Sequence, residues 1–369
     1  MLKSPLVWIA AVIAAPAWAE PPFVGVTSFE VTDPARADPV SADHRRTWRV
    51  DLYYPAKDGQ KGKAPYAPQP ALAQTMAADG YYDVPAETIR GWSRTPGPAI
   101  ADAAAADPKA KYPLILIAPG SGLASFNYSR LAAALTAKGY AVAVVALPYV
   151  GISELSDHRI LKPEEFPGLD GEDPVKWRPA IRQWSADLSR TIDRLLDRGF
   201  PVEVDPARIA AVGHSTGGTV ALQLCREDKR PLGCGDFEGA PQASDAFEGG
   251  NSKPIFVTAS RSAKPDRPFQ APDFSNPFWS YLVKDNRSAW GIAITKASHM
   301  SFSDAPYVMP ATLTRFGGAL MSADRSFELM TGIVDAFARA YGPKGRGDGE
   351  FRAYLSAQPE VLGKLATAK

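Results

Sequence analysis

Gly213-His214-Ser215-Thr216-Gly217-Gly218 joins two segments of different character. Upstream, Arg208-Ile209-Ala210-Ala211-Val212 has the length and composition of a buried strand. Downstream, Thr219-Val220-Ala221-Leu222-Gln223-Leu224 reads as a helix. In the order strand, Gly-x-Ser-x-Gly, helix, the pentapeptide is a nucleophile elbow. The turn is so tight that the serine backbone is strained, and only hydrogen fits as a side chain at the flanking positions. That strain lifts Ser215 Oγ clear of the sheet, and the helix N-terminus behind it favours negative charge. In any other context the stretch would be a glycine-rich turn with an idle serine.

The same alternation repeats outward from the elbow. Tyr112-Pro113-Leu114-Ile115-Leu116-Ile117-Ala118 and Tyr140 to Ala146 are continuous apolar runs, the pattern of parallel strands covered on both faces. Between them, Tyr128 to Lys138 is helical and Gly139 caps it. Ala180 to Arg198 is amphipathic, with Ile181, Trp184, Leu188, Ile192 and Leu195 on one face. Leu232 to Glu238, Pro254 to Ala259 and Trp290 to Thr295 read as strands, the last of them the final strand, and Phe327 to Tyr341 as the closing helix. Thr47 to Tyr54 alternates and ends at Pro55, which predicts an early strand. This order predicts a mostly parallel, doubly wound sheet with helices on both faces and sites beyond the carboxyl ends of its strands.

Three insertions interrupt a single domain running from residue 20 to 369, at about 56–111, 148–179 and 260–288. The first begins as a Lys-, Gly- and Pro-rich loop and continues as an irregular or partly helical excursion. The second is polar and acidic and reads as a lid-like loop. In the third, Phe274, Phe278, Trp279 and Tyr281 are candidates for a cleft lining or for core.

A serine hydroxyl needs a base within hydrogen-bond reach to act as a nucleophile at neutral pH. The chain has four histidines. His44 precedes the early strand in a basic, exposed context, and His158 lies in the polar insertion, upstream of the elbow. His214 adjoins the serine, where the turn points its ring away from Oγ. His299 follows the last predicted strand, in the place that the order serine, acid, histidine assigns to the base.

The acid orients the imidazole and stabilises the imidazolium from a loop after one of the two strands beyond the elbow. Gly235-Asp236-Phe237-Glu238-Gly239 closes the first of these. Period two puts Asp236 and Glu238 on one face, and Glu238 is nearer the carboxyl end. Glu238 is the favoured acid and Asp236 the alternative, with Asp266 and Asp273 further off. The tetrahedral oxyanion needs two preorganised N–H donors. Thr216, the residue after the nucleophile, supplies one, and the Gly120-Ser121-Gly122 turn supplies the other, at Ser121.

With 41 Lys and Arg against 40 Asp and Glu, the net charge is +1, and no basic tract or basic-aromatic patch is present, which argues against a nucleic-acid partner. No internal repeat, cofactor fingerprint or metal-spaced cluster occurs, so neither cofactor nor metal is expected. Lys3, the apolar stretch Leu6 to Ala15 and Ala17-Trp18-Ala19 have the order of a cleaved signal peptide over residues 1–19. The stretch is shorter than the ~20 residues of a bilayer span, so no stable membrane anchor is expected. An exported protein, periplasmic or secreted, follows. In such a compartment Cys225 and Cys234 are either a disulfide across a helix-to-strand connection or two buried thiols.

Four segments together resemble the plasma-type platelet-activating factor acetylhydrolases and their dienelactone-hydrolase-like bacterial relatives. They are Val50 to Ala56, Ala118-Pro119-Gly120-Ser121-Gly122, the elbow, and Ala297 to Asp304. The resemblance implies the α/β-hydrolase fold and places the acid after the strand that follows the elbow helix, in Asp236-Phe237-Glu238. Three departures stand out. The family's usual acid is Asp, its oxyanion loop often begins with His where this chain has Pro119, and true dienelactone hydrolases use a cysteine where this chain has Ser215. The expected activity is hydrolysis of a small-molecule carboxylic ester through an acyl-enzyme, on short-acyl or lipid-like esters. Alternatives are a peptidase or acyltransferase on the same fold, or a catalytically inactive hydrolase-like binding protein.

Overall fold

The computed structural model describes residues 23–57, 62–166, 174–261, 288–310 and 321–366. The predicted signal peptide, Asp266, Asp273 and the aromatics Phe274, Phe278, Trp279 and Tyr281 lie outside them. Along the chain the strands are β1 (Phe23–Ala37), β2 (Arg45–Ala56), β3 (Lys63–Pro65), β4 (Pro96–Ala101), β5 (Lys111–Ala118) and β6 (Ala141–Ala146), then β7 (Ser153–Glu154) and β8 (Ile160–Leu161). After these come β9 (Glu203–His214), β10 (Pro231–Phe237), β11 (Ile255–Arg261), β12 (Ala289–Thr295) and β13 (Val361–Ala366). All but β7 and β8 join one eleven-stranded sheet in the order β13-β12-β11-β10-β9-β5-β6-β2-β1-β4-β3. From β12 to β6 every neighbour is parallel.

The apolar runs of the central strands serve both faces. In β5, Leu114 and Leu116 pack with one layer and Ile115 and Ile117 with the other, as the two-residue period requires. Helices α1 (Pro70–Ala78), α2 (Ala86–Trp92) and α3 (Ser129–Ala137) precede α4 (Arg178–Leu196) and α5 (Thr216–Glu227). The first layer contains α5 and α4, whose Ile181, Trp184, Leu188, Ile192 and Leu195 are all buried. The second contains the helices Ser129–Ala137 and Ala323–Ala340. Each fully buried aliphatic side chain contributes about 1.5–3 kcal/mol of transfer free energy, so the two layers hold the elbow strand rigid. Cys225 in α5 and Cys234 in β10 are joined as a disulfide with a Cα–Cα distance of 6.0 Å.

The ends of the chain depart from the sequence reading. β1 precedes the predicted early strand and pairs with β2 in antiparallel register over its length. Its alternation is blurred by half-exposed positions and by Asp33-Pro34, so only the pairing defines it. Trp290–Thr295 is not the last strand, nor is the helix at Ala323–Ala340 the last helix. A helix at Asp348–Ser356 and antiparallel β13 follow. Val361-Leu362-Gly363-Lys364-Leu365-Ala366 has too short and mixed a pattern to mark a strand without β12 beside it.

The described parts of the first two insertions also carry more regular structure than their composition indicates. Residues 62–101 add β3 and β4 to the sheet edge and form the helices Pro70–Ala78 and Ala86–Trp92. Tyr66, Trp92 and Phe126 meet edge to face there. The segment read as a polar lid buries Tyr149, Val150, Ile152, Leu155, Leu161 and Phe166 over residues 148–166. Trp184 Nε1 donates to the Pro148 carbonyl at 2.8 Å, and Leu72 N–H donates to Glu154 Oε2 at 3.1 Å. Its charged residues hide an apolar spacing that packs with α4, where Phe166 lies 5.0 Å from Trp184, while Glu154 bonds the first insertion.

Candidate active site

At the end of β9 the chain reverses into α5 through Ser215, whose φ of 54° and ψ of −127° lie where a side chain is disfavoured. A Cβ on Gly217 would lie 2.1 Å from the Ala118 oxygen, and one on Gly213 would lie 2.2 Å from the Gly217 carbonyl carbon. The two glycines are therefore steric requirements of the turn. Ser215 N–H donates to the Phe237 oxygen at 2.8 Å, and the Ser215 oxygen accepts from Thr219 N–H at 3.2 Å, which fixes the strained residue between β10 and the helix.

His299 opens the short 3₁₀ turn His299–Phe302 after β12. Its Nδ1 lies 3.2 Å from Glu238 Oε2. The other oxygen, Oε1, accepts from Ser260 N–H at 2.9 Å and from Ser260 Oγ at 2.5 Å. Two donors at the end of β11 thus hold one carboxylate oxygen while the second meets the imidazole. The His299 ring lies 4.6 Å from that of His214, which places it over the elbow.

Asp236 and Glu238 do not share a face. β10 ends at Phe237, and Glu238 turns into the left-handed region with φ 59°, so the two-residue period stops between them. Asp236 is fully buried beneath the elbow, where a Cβ on Gly218 would lie 2.0 Å from its Oδ1. Oδ1 accepts from Gly239 N–H at 2.7 Å, while Oδ2 has no partner among the described residues. Burial pushes this carboxyl well above the ordinary carboxylate range, and the neighbouring Glu238 charge adds to the effect. The geometry brings Glu238, and not Asp236, to His299.

The remaining histidines lie elsewhere. His44 is half-exposed beside Asp43, and His158 is exposed with Nδ1 3.1 Å from Glu154. His214 is buried, its Nδ1 2.7 Å from Tyr128 Oη.

The loop after β5 reaches the elbow serine, for a Cβ on Gly120 would lie 3.3 Å from Ser215 Cβ. Its Gly120 N–H donates to Tyr128 Oη at 2.9 Å and its Gly122 N–H to the Val150 oxygen at 2.8 Å. Ser121 N–H between them has no acceptor among the described residues. Thr216 is the first residue of α5, and no preceding helical turn supplies its N–H with an acceptor. Thr216 directly follows Ser215, and Ser121 lies on the loop whose Gly120 reaches it.

Tyr82 is the residue here that sequence reasoning missed. It belongs to the first insertion, has φ 48° and ψ 33°, and its hydroxyl donates to the Ser121 carbonyl at 2.7 Å. Gly122, at φ 75°, leaves room for it, since a Cβ there would lie 2.6 Å from Tyr82 Oη. Nothing in the stretch around Tyr82 marks it in sequence, because its partner lies 39 residues away. Among the described residues, no three of His, Cys, Asp and Glu are grouped to hold a metal ion.

The elbow serine, His299 and Glu238 stand at the carboxyl edge of a parallel sheet, and the chain belongs to the alpha/beta hydrolase family, whose model matches residues 114–353. It is 24% identical over 269 residues to a probable 1-alkyl-2-acetylglycerophosphocholine esterase of Arthroderma benhamiae, a match that takes in 68% of this chain. The chain spans 65% of that relative's length. Its fold is similar to that of a ferulic acid esterase from Streptomyces cinnamoneus, with a TM-score of 0.74 and 26% identity, covering 95% of this chain and 98% of that one.

Proposed function

We propose that this protein is an exported serine esterase that hydrolyses carboxylic esters through an acyl-enzyme. The observation that carries the reading is the 3.2 Å approach of Glu238 Oε2 to His299 Nδ1 beside the elbow serine. A carboxylate at Nδ1 fixes the proton there and leaves Nε2 as the base. In the reaction, Ser215 Oγ bonds to the ester carbonyl carbon while its proton passes to His299. Ser121 and Thr216 N–H groups stabilise the oxyanion. Collapse breaks the bond to the alcohol oxygen, which takes the proton from His299 as it leaves. Water then attacks the acyl-enzyme by the same route and releases the acid.

Ester substrates are supported by the names of both relatives, an acetylglycerophosphocholine esterase and a ferulic acid esterase. Short-acyl or lipid-like esters are the proposed class. The signal-like N-terminus and the Cys225–Cys234 bridge support an oxidising compartment. A panel of p-nitrophenyl esters of rising acyl length, with Ser215→Ala as control, tests the reading. Turnover falling with acyl length and absent in Ser215→Ala is the expected result. Failure of a fluorophosphonate to label Ser215 in the folded protein would overturn it in favour of an inactive scaffold.

A further inference from the structure

Beneath the proposed catalytic histidine lies a second, buried one that the reaction scheme does not use. His214 is only 1% exposed, and its ring packs against His299 at 4.6 Å and against Phe302 at 6.0 Å. Its Nδ1 meets Tyr128 Oη at 2.7 Å, and the same Oη receives Gly120 N–H at 2.9 Å. A phenol has one proton to give. With Gly120 occupying an acceptor position, and no other acceptor for the phenol among the described residues, that proton goes to His214 Nδ1. The His214 proton then sits on Nε2.

We infer that Tyr128 and His214 form a positioning pair that ties the oxyanion loop to the base and keeps a neutral imidazole against His299 while His299 takes up its proton. This inference rests on the serine esterase reading and adds two residues to it. Tyr128 does two things at once. It holds Gly120, next to the free Ser121 N–H, and it occupies the lone pair through which His214 would otherwise be protonated. The titratable groups acting on His214 are Tyr128, from the turn before the helix Ser129–Ala137, and His299, after β12. Burial lowers the affinity of His214 for a second proton, and the neighbouring His299 lowers it further, against a smaller opposing effect from the His299 backbone. A charged His214 would repel the imidazolium that forms on His299 at each step.

Ring ¹⁵N NMR of the wild-type protein reads the tautomer without any substitution. The expected spectrum shows His214 neutral, protonated at Nε2, and not titrating as the pH falls from 8 to about 5. Tyr128→Phe removes the phenol, and kcat is expected to fall about 10- to 100-fold with KM little changed, less than the loss of an oxyanion donor itself. In the same variant the acid limb of kcat/KM should move to higher pH and steepen, because His214 now competes for a proton. A wild-type spectrum with the proton on Nδ1, or with His214 titrating between pH 8 and about 5, overturns the inference. So does a Tyr128→Phe variant of lowered kcat whose acid limb is unmoved, since a purely structural role gives that result. Fluorophosphonate labelling of Ser215, run in parallel, shows separately whether the esterase reading itself has failed.

Discussion

Glu238 leaves β10 in a left-handed conformation, φ 59°, and that turn carries its Oε2 to 3.2 Å from His299 Nδ1. The residue that precedes it by two, Asp236, stays behind under the elbow. Amide substitutions should separate the two. Glu238→Gln is expected to lower kcat by about 10⁴ with the fold retained, because the imidazole loses its orienting partner. Asp236→Asn should leave kcat nearly unchanged, since Asp236 bonds Gly239 N–H beneath the elbow and Glu238 is the carboxylate that meets His299. Steady-state kinetics alongside circular dichroism check both, and equal losses in the two variants would refute the assignment.

Ser215→Ala and His299→Ala should each cost on the order of 10⁶ in kcat, and the double variant little more. Groups that act as a unit are not additive. A double variant much slower than either single one would show that they act independently.

The elbow glycines should be intolerant of a single methyl. Gly217→Ala places a Cβ 2.1 Å from the Ala118 oxygen, so the variant is expected to lose several kcal/mol or fail to fold. Gly91, inside the helix Ala86–Trp92, is open, with nothing within 4 Å of where a Cβ would stand. Gly91→Ala should stabilise the protein by about 0.5–1 kcal/mol through helix propensity. Urea denaturation of the pair measures both signs.

The Cys225–Cys234 bridge closes a short loop, with a sequence separation of 9. Its reduction should cost roughly 2–3 kcal/mol and lower Tm while leaving kcat intact. Thermal melts and activity with and without a reductant test this, and an unchanged Tm would show that the bridge contributes no stability.

Stability should fall as the pH rises through neutrality. Burial pushes the Asp304 carboxyl up to about 7, although it accepts from Ser129 Oγ at 3.0 Å and Arg130 N–H at 3.1 Å. A carboxyl whose folded pKa exceeds its unfolded 3.8 favours the folded state fully below about pH 4. That contribution is lost as the pH rises through 7. Asp304→Asn removes the titration, so its Tm should vary less than wild type between pH 4 and 8. A profile as steep as wild type's would place the effect in other groups, buried Asp236 first.

Sequence alone determined what depends on near neighbours or on chain order. The elbow was legible because its glycines, serine and flanking strand and helix are contiguous, and each requirement is steric and local. The place of His299 beside the elbow was legible because it follows the strand Trp290–Thr295, at the carboxyl end of the sheet. The central strands were legible because burial on both faces forces unbroken apolar runs. What only the tertiary structure decided involves partners far apart in sequence. That Glu238 and not Asp236 meets His299 depends on where β10 stops and how the backbone turns, and periodicity does not record either. β1 and β13 are strands because β2 and β12 supply their hydrogen bonds. Tyr82 and Tyr128 reach the oxyanion loop only after an insertion and a helix fold against it. A side chain whose partners lie on another loop or strand leaves no periodic or compositional trace, so only the folded chain reveals it.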